Sequence, residues 1–284
     1  MSAAQSTPLT PDQIGQFESG GYVVIDAGLP ASLLDAIPAD LAGVFSGARP
    51  VKLPYRDNKR LADAWRIHDG VLRLAAWPAI LAALEQLYGR RPLPFQTLNF
   101  NAGTEQRPHS DTIHFDSRPS GFMCGVWTAL EDIDETNGPL VYYPGSHKLP
   151  QVTFKDVKAR PTHLNYGKYE DYIEAMLEEA SEQRVKAARL ERRLGIVKKG
   201  QALIWAANLI HGGAAVTDRS RTRHSQVTHY YFEGCRYFSP MHSNDRFTFW
   251  TYPVWVRSGP IQERRVPRLI NSLRWRAARL FKVI

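Results

Sequence analysis

Two copies of the pattern His-any-Asp overlap the stretch RPHSDTIHFDSRPSG, His109 with Asp111 and His114 with Asp116. On an extended segment, side chains at i and i+2 point to one face, so either pair offers an imidazole nitrogen and a carboxylate oxygen to a single point. A third ligand must come from elsewhere. The best candidate is His211, which closes the apolar run ALIWAANLIH just before Gly212 and Gly213, where a strand is expected to end and the backbone to leave room for a ligand. Two imidazoles and one carboxylate on one side of a metal leave its other positions open. That arrangement suits ferrous iron, which must also bind a cosubstrate and oxygen. From the residues alone the choice between the two pairs stays open, because the pattern is common and either could be an ordinary loop.

The elements that must hold these residues fall into two textures. The first third reads as helical with one strand. Thr10 can cap a short helix carrying Ile14 and Phe17, a strand runs from Tyr22 to Ile25, PASLLDAIPADLAGVF has helical spacing, and GVLRLAAWPAILAALEQLYG is a helix interrupted at Pro78 and stopped at Gly89. From LPFQTLNFN onward the chain turns to short β-rich runs, GFMCGVWTAL, PLVYYPGSH, QALIWAANLIHGG and HSQVTHYYFEG, as expected of an antiparallel sandwich or barrel. Residues 167–194 break the series with a helical stretch, acidic in its first half and basic in its second, read as a solvated insertion or a lid over the site. With no internal repeat or linker, residues 1–284 are read as a single domain.

Composition sets bounds. A chain of 284 residues with 43% hydrophobic content can bury a substantial core. The N-terminus lacks the basic start and apolar core of a secretory signal, and Cys124 and Cys235 are expected to be core residues, so a cytoplasmic location is expected. The net charge of +8 is concentrated from Glu263 onward, where Arg264, Arg265, Arg268, Arg274, Arg276, Arg279 and Lys282 face that single acid. No nucleic-acid groove across the body is therefore expected. Residues 263–284 read as a basic amphipathic helix, docked on the barrel, lying on an anionic membrane surface as a peripheral contact, or meeting an acidic partner.

Several stretches together resemble the phytanoyl-CoA hydroxylase family of Fe(II)- and 2-oxoglutarate-dependent dioxygenases. They are LTPDQIGQFESGGYVVID, HSDTIHFDSRPSGFMCGVWTALEDIDETNGPLVYYPGSHKLP and LIWAANLIHGGAAVTDRSRTRHSQVTHYYF. The resemblance implies a mainly β fold with flanking helices, a double-stranded β-helix of the jelly-roll, cupin-like type. It also implies which pair binds metal. The family's pair lies eighteen residues before the tryptophan of its W-T-A-x-E strand, and with Trp127 at that place the pair is His109 and Asp111, with Arg118, Pro119 and Ser120 in register. His114 then lines the pocket, and Asp116 is a turn residue or substrate contact.

The same resemblance implies Fe(II), 2-oxoglutarate and O2 as cofactor and cosubstrates. The distal carboxylate of 2-oxoglutarate calls for an arginine fork, placed by the family about a dozen residues after the distal histidine; Arg223 fits, with Arg221 as second choice. Trp127, Asn99, Asn101 and Ser225 are further cosubstrate candidates. Asp111 stands where related halogenases carry a small residue, so hydroxylation of an unactivated C–H bond, or desaturation, is implied over halogenation. The substrate is a small molecule, and the basic, aromatic-rich composition favours an anionic or carrier-linked one. Two rivals from other classes are a catalytically silent jelly-roll that binds a small molecule or partner, and a zinc hydrolase or isomerase on the same ligands.

Overall fold

The computed structural model describes residues 8–158, 168–243 and 248–259. The basic segment 263–284 lies outside these described residues.

Helix α1 (Pro11–Gly20) starts where Thr10 accepts the Gln13 amide and the Gln13 side chain accepts the Thr10 amide in return, and it ends at Gly21 in the left-handed region. Strand β1 (Tyr22–Asp26) and α2 (Ala31–Phe45) follow. After β2 (Arg60–Ala62), the apolar stretch beginning at Asp69 divides into α3 (Asp69–Ala75) and α4 (Pro78–Tyr88). Asp69–Tyr88 is long and apolar enough by composition to cross a membrane, yet it breaks before Pro78, and Val71, Leu74, Ile80 and Leu84 are buried in the core.

Strands β3 (Pro92–Phe100), β4 (Asp116–Arg118), β5 (Met123–Ala129) and β6 (Leu140–Tyr142) come next. Helix α5 (Lys168–Ala187) precedes β7 (Arg193–Leu194), β8 (Gln201–Ala206), β9 (His211–Gly213), β10 (Ser225–Phe232) and β11 (Arg236–Phe238). A six-stranded antiparallel sheet has the order β1-β8-β5-β10-β3-β2, a three-stranded sheet the order β7-β6-β9, and β11 pairs with β4. Side chains alternate across the large sheet as a two-residue period requires. Cys124, Val126, Ala202, Ile204, Tyr230 and Phe232 pack with α2, α3 and α4, while Trp127, Leu203, Trp205 and Val227 join Tyr142 of β6 in a separate interior cluster. This is the jelly-roll with helices on one face.

Three local expectations change. The run QALIWAANLIHGG is two strands rather than one: it turns at residues 207–210, so His211 opens β9 in the small sheet instead of ending a strand of the large one. The helix expected over 167–194 stops at Ala187, Arg189 takes a left-handed conformation, and Arg193–Leu194 pair with β6. Cys124 is buried, but Cys235 is only half-buried beside Arg90.

Candidate metal centre

His109 and His211 meet as a two-residue antiparallel bridge, each donating its amide to the other's carbonyl at 2.8 and 2.9 Å. Their rings lie 4.6 Å apart between centroids. Each Nδ1 sits 2.9 Å from the backbone carbonyl two residues upstream, Arg107 for His109 and Leu209 for His211. A carbonyl can only accept, so each ring carries its proton on Nδ1 and turns the lone pair of Nε2 inward. One ligand atom from each of His109, Asp111 and His211 falls within 4.8 Å of the others, the spacing a single metal ion can bridge.

Asp111 reaches this point differently from a strand residue. The chain is extended through Ser110, whose Oγ accepts the Thr112 amide, and Asp111 opens a single 3₁₀ turn to Ile113. That turn carries His114 away, toward Glu174 of α5 at 3.6 Å. His114 thus leaves the group because of the turn, not because of strand parity. Asp116 is buried and accepts from the Ser117 amide and the Ser120 hydroxyl, which makes it a local brace.

The carboxylate of Asp111 is buried. Trp205 Nε1 donates to its Oδ2 at 2.8 Å, and His229 Nε2 lies 3.6 Å from the same oxygen. Burial alone would raise its pKa, but His211 and His229 outweigh burial and hold it well below the usual carboxylate range. His109 is lowered as well, to about 4, first by burial and then by His211. A deprotonated carboxylate beside two imidazoles whose Nδ1 protons are held by backbone carbonyls, leaving Nε2 to coordinate, is the donor set a divalent transition metal needs. The residues fit such an ion.

Glycines set the spacing. Gly125 stands opposite both Trp205 and His229 in the sheet, and a Cβ there would come within 2.2 Å of the Trp205 ring. A Cβ on Gly212 would meet the Gln106 carbonyl at 2.6 Å, and one on Gly213 would meet the Glu105 amide at 3.0 Å. The room beside His211 therefore holds the backbone of residues 105–107, which brings His109 alongside, and not a ligand.

Beside the three residues runs a cavity lined by Phe100, Trp127, Trp205, Arg223, Val227 and His229, among others. Arg223 is 5% exposed and makes no ion pair with a described carboxylate, Glu131 acting on it only at longer range; it donates to Ser225 Oγ at 2.9 Å and to the Ala102 carbonyl, and its Nε has no partner among the described residues. Burial lowers it to about 10, so it remains cationic at neutral pH. The indole N–H of Trp127 is likewise buried without a partner, and the Arg223 guanidinium lies 5.6 Å from that ring's centroid. A buried cation and an orphaned N–H facing one cavity call for an anion.

The other cosubstrate candidates separate. Ser225 touches Arg223 directly. Asn101 gives its carbonyl to the Arg223 amide, and its buried side-chain oxygen has no partner. Asn99 lies on the opposite face of the sheet, bonded to Gln226, which in turn reaches the Val71 carbonyl, and it does not line the cavity. Strand alternation accounts for this, since Phe100 takes the inward position next to it. Arg221 is engaged elsewhere, 2.6 Å from Asp134.

Of the remaining histidines, His147 bonds the Glu18 carbonyl and ties the loop after β6 to α1. His68 caps α3 and pairs with Asp40 at 2.9 Å in a different groove, so it does not reach the mouth of this site. Neither Trp205 nor His229 belongs to a motif in the sequence, yet both flank Asp111. The signal available was parity: Leu203, Trp205, Val227 and His229 share the inward face once β8 and β10 are placed in register with β5.

A jelly-roll with two imidazoles, one carboxylate and a buried arginine defines a class of metal-dependent oxygenase scaffolds. A family model described as phytanoyl-CoA dioxygenase matches residues 17–224, well over half of the chain, and the chain belongs to that family. It is 29% identical over 182 residues to the peroxisomal phytanoyl-CoA dioxygenase of Rattus norvegicus, covering 61% of this chain and 49% of that protein. The Homo sapiens protein is 28% identical over 149 residues, covering 50% and 40%. The chain thus spans about half the length, or less, of these curated relatives. Among solved structures, the epimerase SnoN in complex with Fe3+, alpha ketoglutarate and nogalamycin RO superposes with a TM-score of 0.61 at 19% identity, covering 89% of this chain and 95% of that one. EctD from S. alaskensis with 2-oxoglutarate and 5-hydroxyectoine gives 0.60 at 17% identity, covering 91% and 88%. At these identities the likeness is one of fold.

Proposed function

We propose that the chain is an Fe(II)- and 2-oxoglutarate-dependent oxygenase that hydroxylates an unactivated C–H bond of a small molecule. The observation that carries this reading is the convergence of His109, Asp111 and His211 beside the buried cation of Arg223. In it the three residues hold iron, and Arg223, with Ser225 bracing its guanidinium, takes the distal carboxylate of 2-oxoglutarate in a two-pronged charge-assisted contact. Trp127 offers its free N–H to the same ligand.

When bound, the iron and its cosubstrate would supply the oxygen-dependent chemistry that turns 2-oxoglutarate into succinate and CO2 as the substrate gains a hydroxyl group. The chain's own contribution is geometric and electrostatic. The carbonyls of Arg107 and Leu209 fix the two imidazole tautomers, Trp205 fixes the Asp111 carboxylate, and the apolar walls of Phe100, Leu140 and Val227 exclude water. A silent binding protein would not need a buried, charged Arg223 facing a metal-capable group. Iron-dependent succinate release from 2-oxoglutarate tests the reading, and a metal-loaded protein that neither binds nor consumes 2-oxoglutarate would refute it.

A further inference from the structure

Between the segments that carry His109 and His211, the backbone ladder lasts for one pair of residues and then stops. Continued in the same antiparallel register, it would set Asp111 against Leu209 and Thr112 against Asn208. Asp111 instead opens the 3₁₀ turn to Ile113, and the Leu209 carbonyl faces Nδ1 of His211. From there on side chains hold the two segments together.

Ser110 Oγ lies 2.8 Å from Thr112 Oγ1, 3.2 Å from the Ala207 carbonyl and 3.2 Å from Asn208 Oδ1, and Thr112 Oγ1 lies 3.4 Å from the same amide oxygen. On its other side Asn208 Nδ2 donates to the carbonyls of Leu149 at 2.7 Å and His147 at 3.2 Å. Those carbonyls can only accept, so the amide nitrogen must face them and the amide oxygen must face the hydroxyls. Ser110 and Thr112 are buried, which leaves bulk water unable to replace a lost partner. A carboxylate at position 208 would have no proton for the two carbonyls, and an apolar side chain would serve neither side. Only an amide joins all three segments.

We propose that Asn208 is a positioning residue for the metal centre, clamping the turn that carries Asp111 to the turn that leads into His211 and anchoring both on the loop after β6. The inference rests on the metal-centre reading above. Asp111 follows Ser110 directly and His211 lies three residues beyond Asn208, so the clamp acts through the backbone of the two turns. Together with the bridge between His109 and His211, it fixes the span between the carboxylate and the second imidazole before an ion arrives. Ligands already held in place lose less freedom when the ion binds, and the affinity rises accordingly.

The test titrates the metal-free full chain with Mn(II), counting the free ion by its EPR signal, recording the spectrum of the bound ion and measuring the melting temperature alongside. Asn208→Leu removes the clamp and is expected to weaken Mn(II) binding roughly tenfold to a hundredfold, the effect of losing a group that orients metal ligands, and to broaden the bound spectrum as the ligand geometry spreads. Thr112→Val deletes one hydroxyl at nearly constant volume and should weaken binding by a smaller factor, whereas Thr112→Ser keeps the hydroxyl and should bind as the wild type does. Val71→Ala, in the core on the helical side of the large sheet, is the control for general loosening: it should lower the melting temperature and leave affinity and spectrum unchanged. Affinity and spectrum in Asn208→Leu no different from those of Val71→Ala, or Thr112→Ser as weak a binder as Thr112→Val, would overturn the inference. Should Asn208→Leu fail to fold, the two Thr112 variants decide the matter alone. A wild-type chain that binds no Mn(II) is a separate result, and it would refute the metal-centre reading instead.

Discussion

The indole N–H of Trp205 donates to Asp111 Oδ2 at 2.8 Å, leaving Oδ1 as the carboxylate oxygen turned toward His211, 3.9 Å from its Nε2. Trp205 therefore acts on the metal centre through Asp111, by fixing which oxygen is presented. Replacing it with Phe keeps most of the packing and removes the donor. Trp205→Phe is expected to weaken Fe(II) or Mn(II) affinity about 10- to 100-fold, the usual effect of losing a partner of a metal ligand, with a much smaller change in melting temperature. Unchanged metal titration would remove Trp205 from this role.

Gly125 makes that geometry sterically feasible. Because an added methyl would sit 2.2 Å from the Trp205 ring, Gly125→Ala forces the indole or strand β5 to shift. We expect a loss of about 1–3 kcal/mol in urea unfolding, typical of overpacking, together with weakened metal binding. In the double variant Gly125→Ala with Trp205→Phe the two stability effects should not add, since the residues touch.

Arg223 and Arg221 make opposite predictions. Arg223→Gln removes the buried cation and is expected to raise the KM for 2-oxoglutarate roughly tenfold to a hundredfold, as loss of a charge-assisted contact does. Arg221→Gln breaks a half-exposed pair with Asp134 and should leave that KM unchanged. Steady-state kinetics on both variants separates them, and an effect confined to Arg221 would reverse the assignment.

Acid should destabilise the metal-free protein before its carboxylates titrate. In the folded chain His109 protonates only near 4, whereas an unfolded histidine does so near 6.5. Between those values the unfolded state binds more protons, so stability is lost as pH falls through that window and regained as it rises. The melting temperature of metal-free protein should drop from pH 7 to pH 4.5, and His109→Gln should flatten the slope. Equal slopes in both proteins would show that His109 does not contribute.

Much of this was readable from residues, and the exceptions have physical causes. Short β-rich runs located β3, β5 and β10, and Thr10 and Gly89 marked helix ends by chemistry that acts locally. The pair His109 and Asp111 could be separated from His114 and Asp116 only by register with Trp127, because the device that separates them is a single turn after Ser110. An apolar run cannot reveal a change of sheet, so His211 was read as the end of a strand when it begins one. Asn99 looked like a site residue next to Phe100, but adjacent strand positions face opposite sides. Trp205 carries no motif at all. Its role exists only where β8, β5 and the 109–111 segment converge.

The central claim is that His109, Asp111 and His211 together hold one ferrous ion that accepts 2-oxoglutarate. Anaerobic addition of Fe(II) and 2-oxoglutarate, followed by visible absorption of the chelated complex and then by succinate release on admitting oxygen, tests it most directly. The account predicts a coloured complex and iron-dependent succinate in the wild-type chain, both lost in His211→Ala although the protein remains folded. A His211→Ala protein that still forms the complex and releases succinate at the wild-type rate would contradict it.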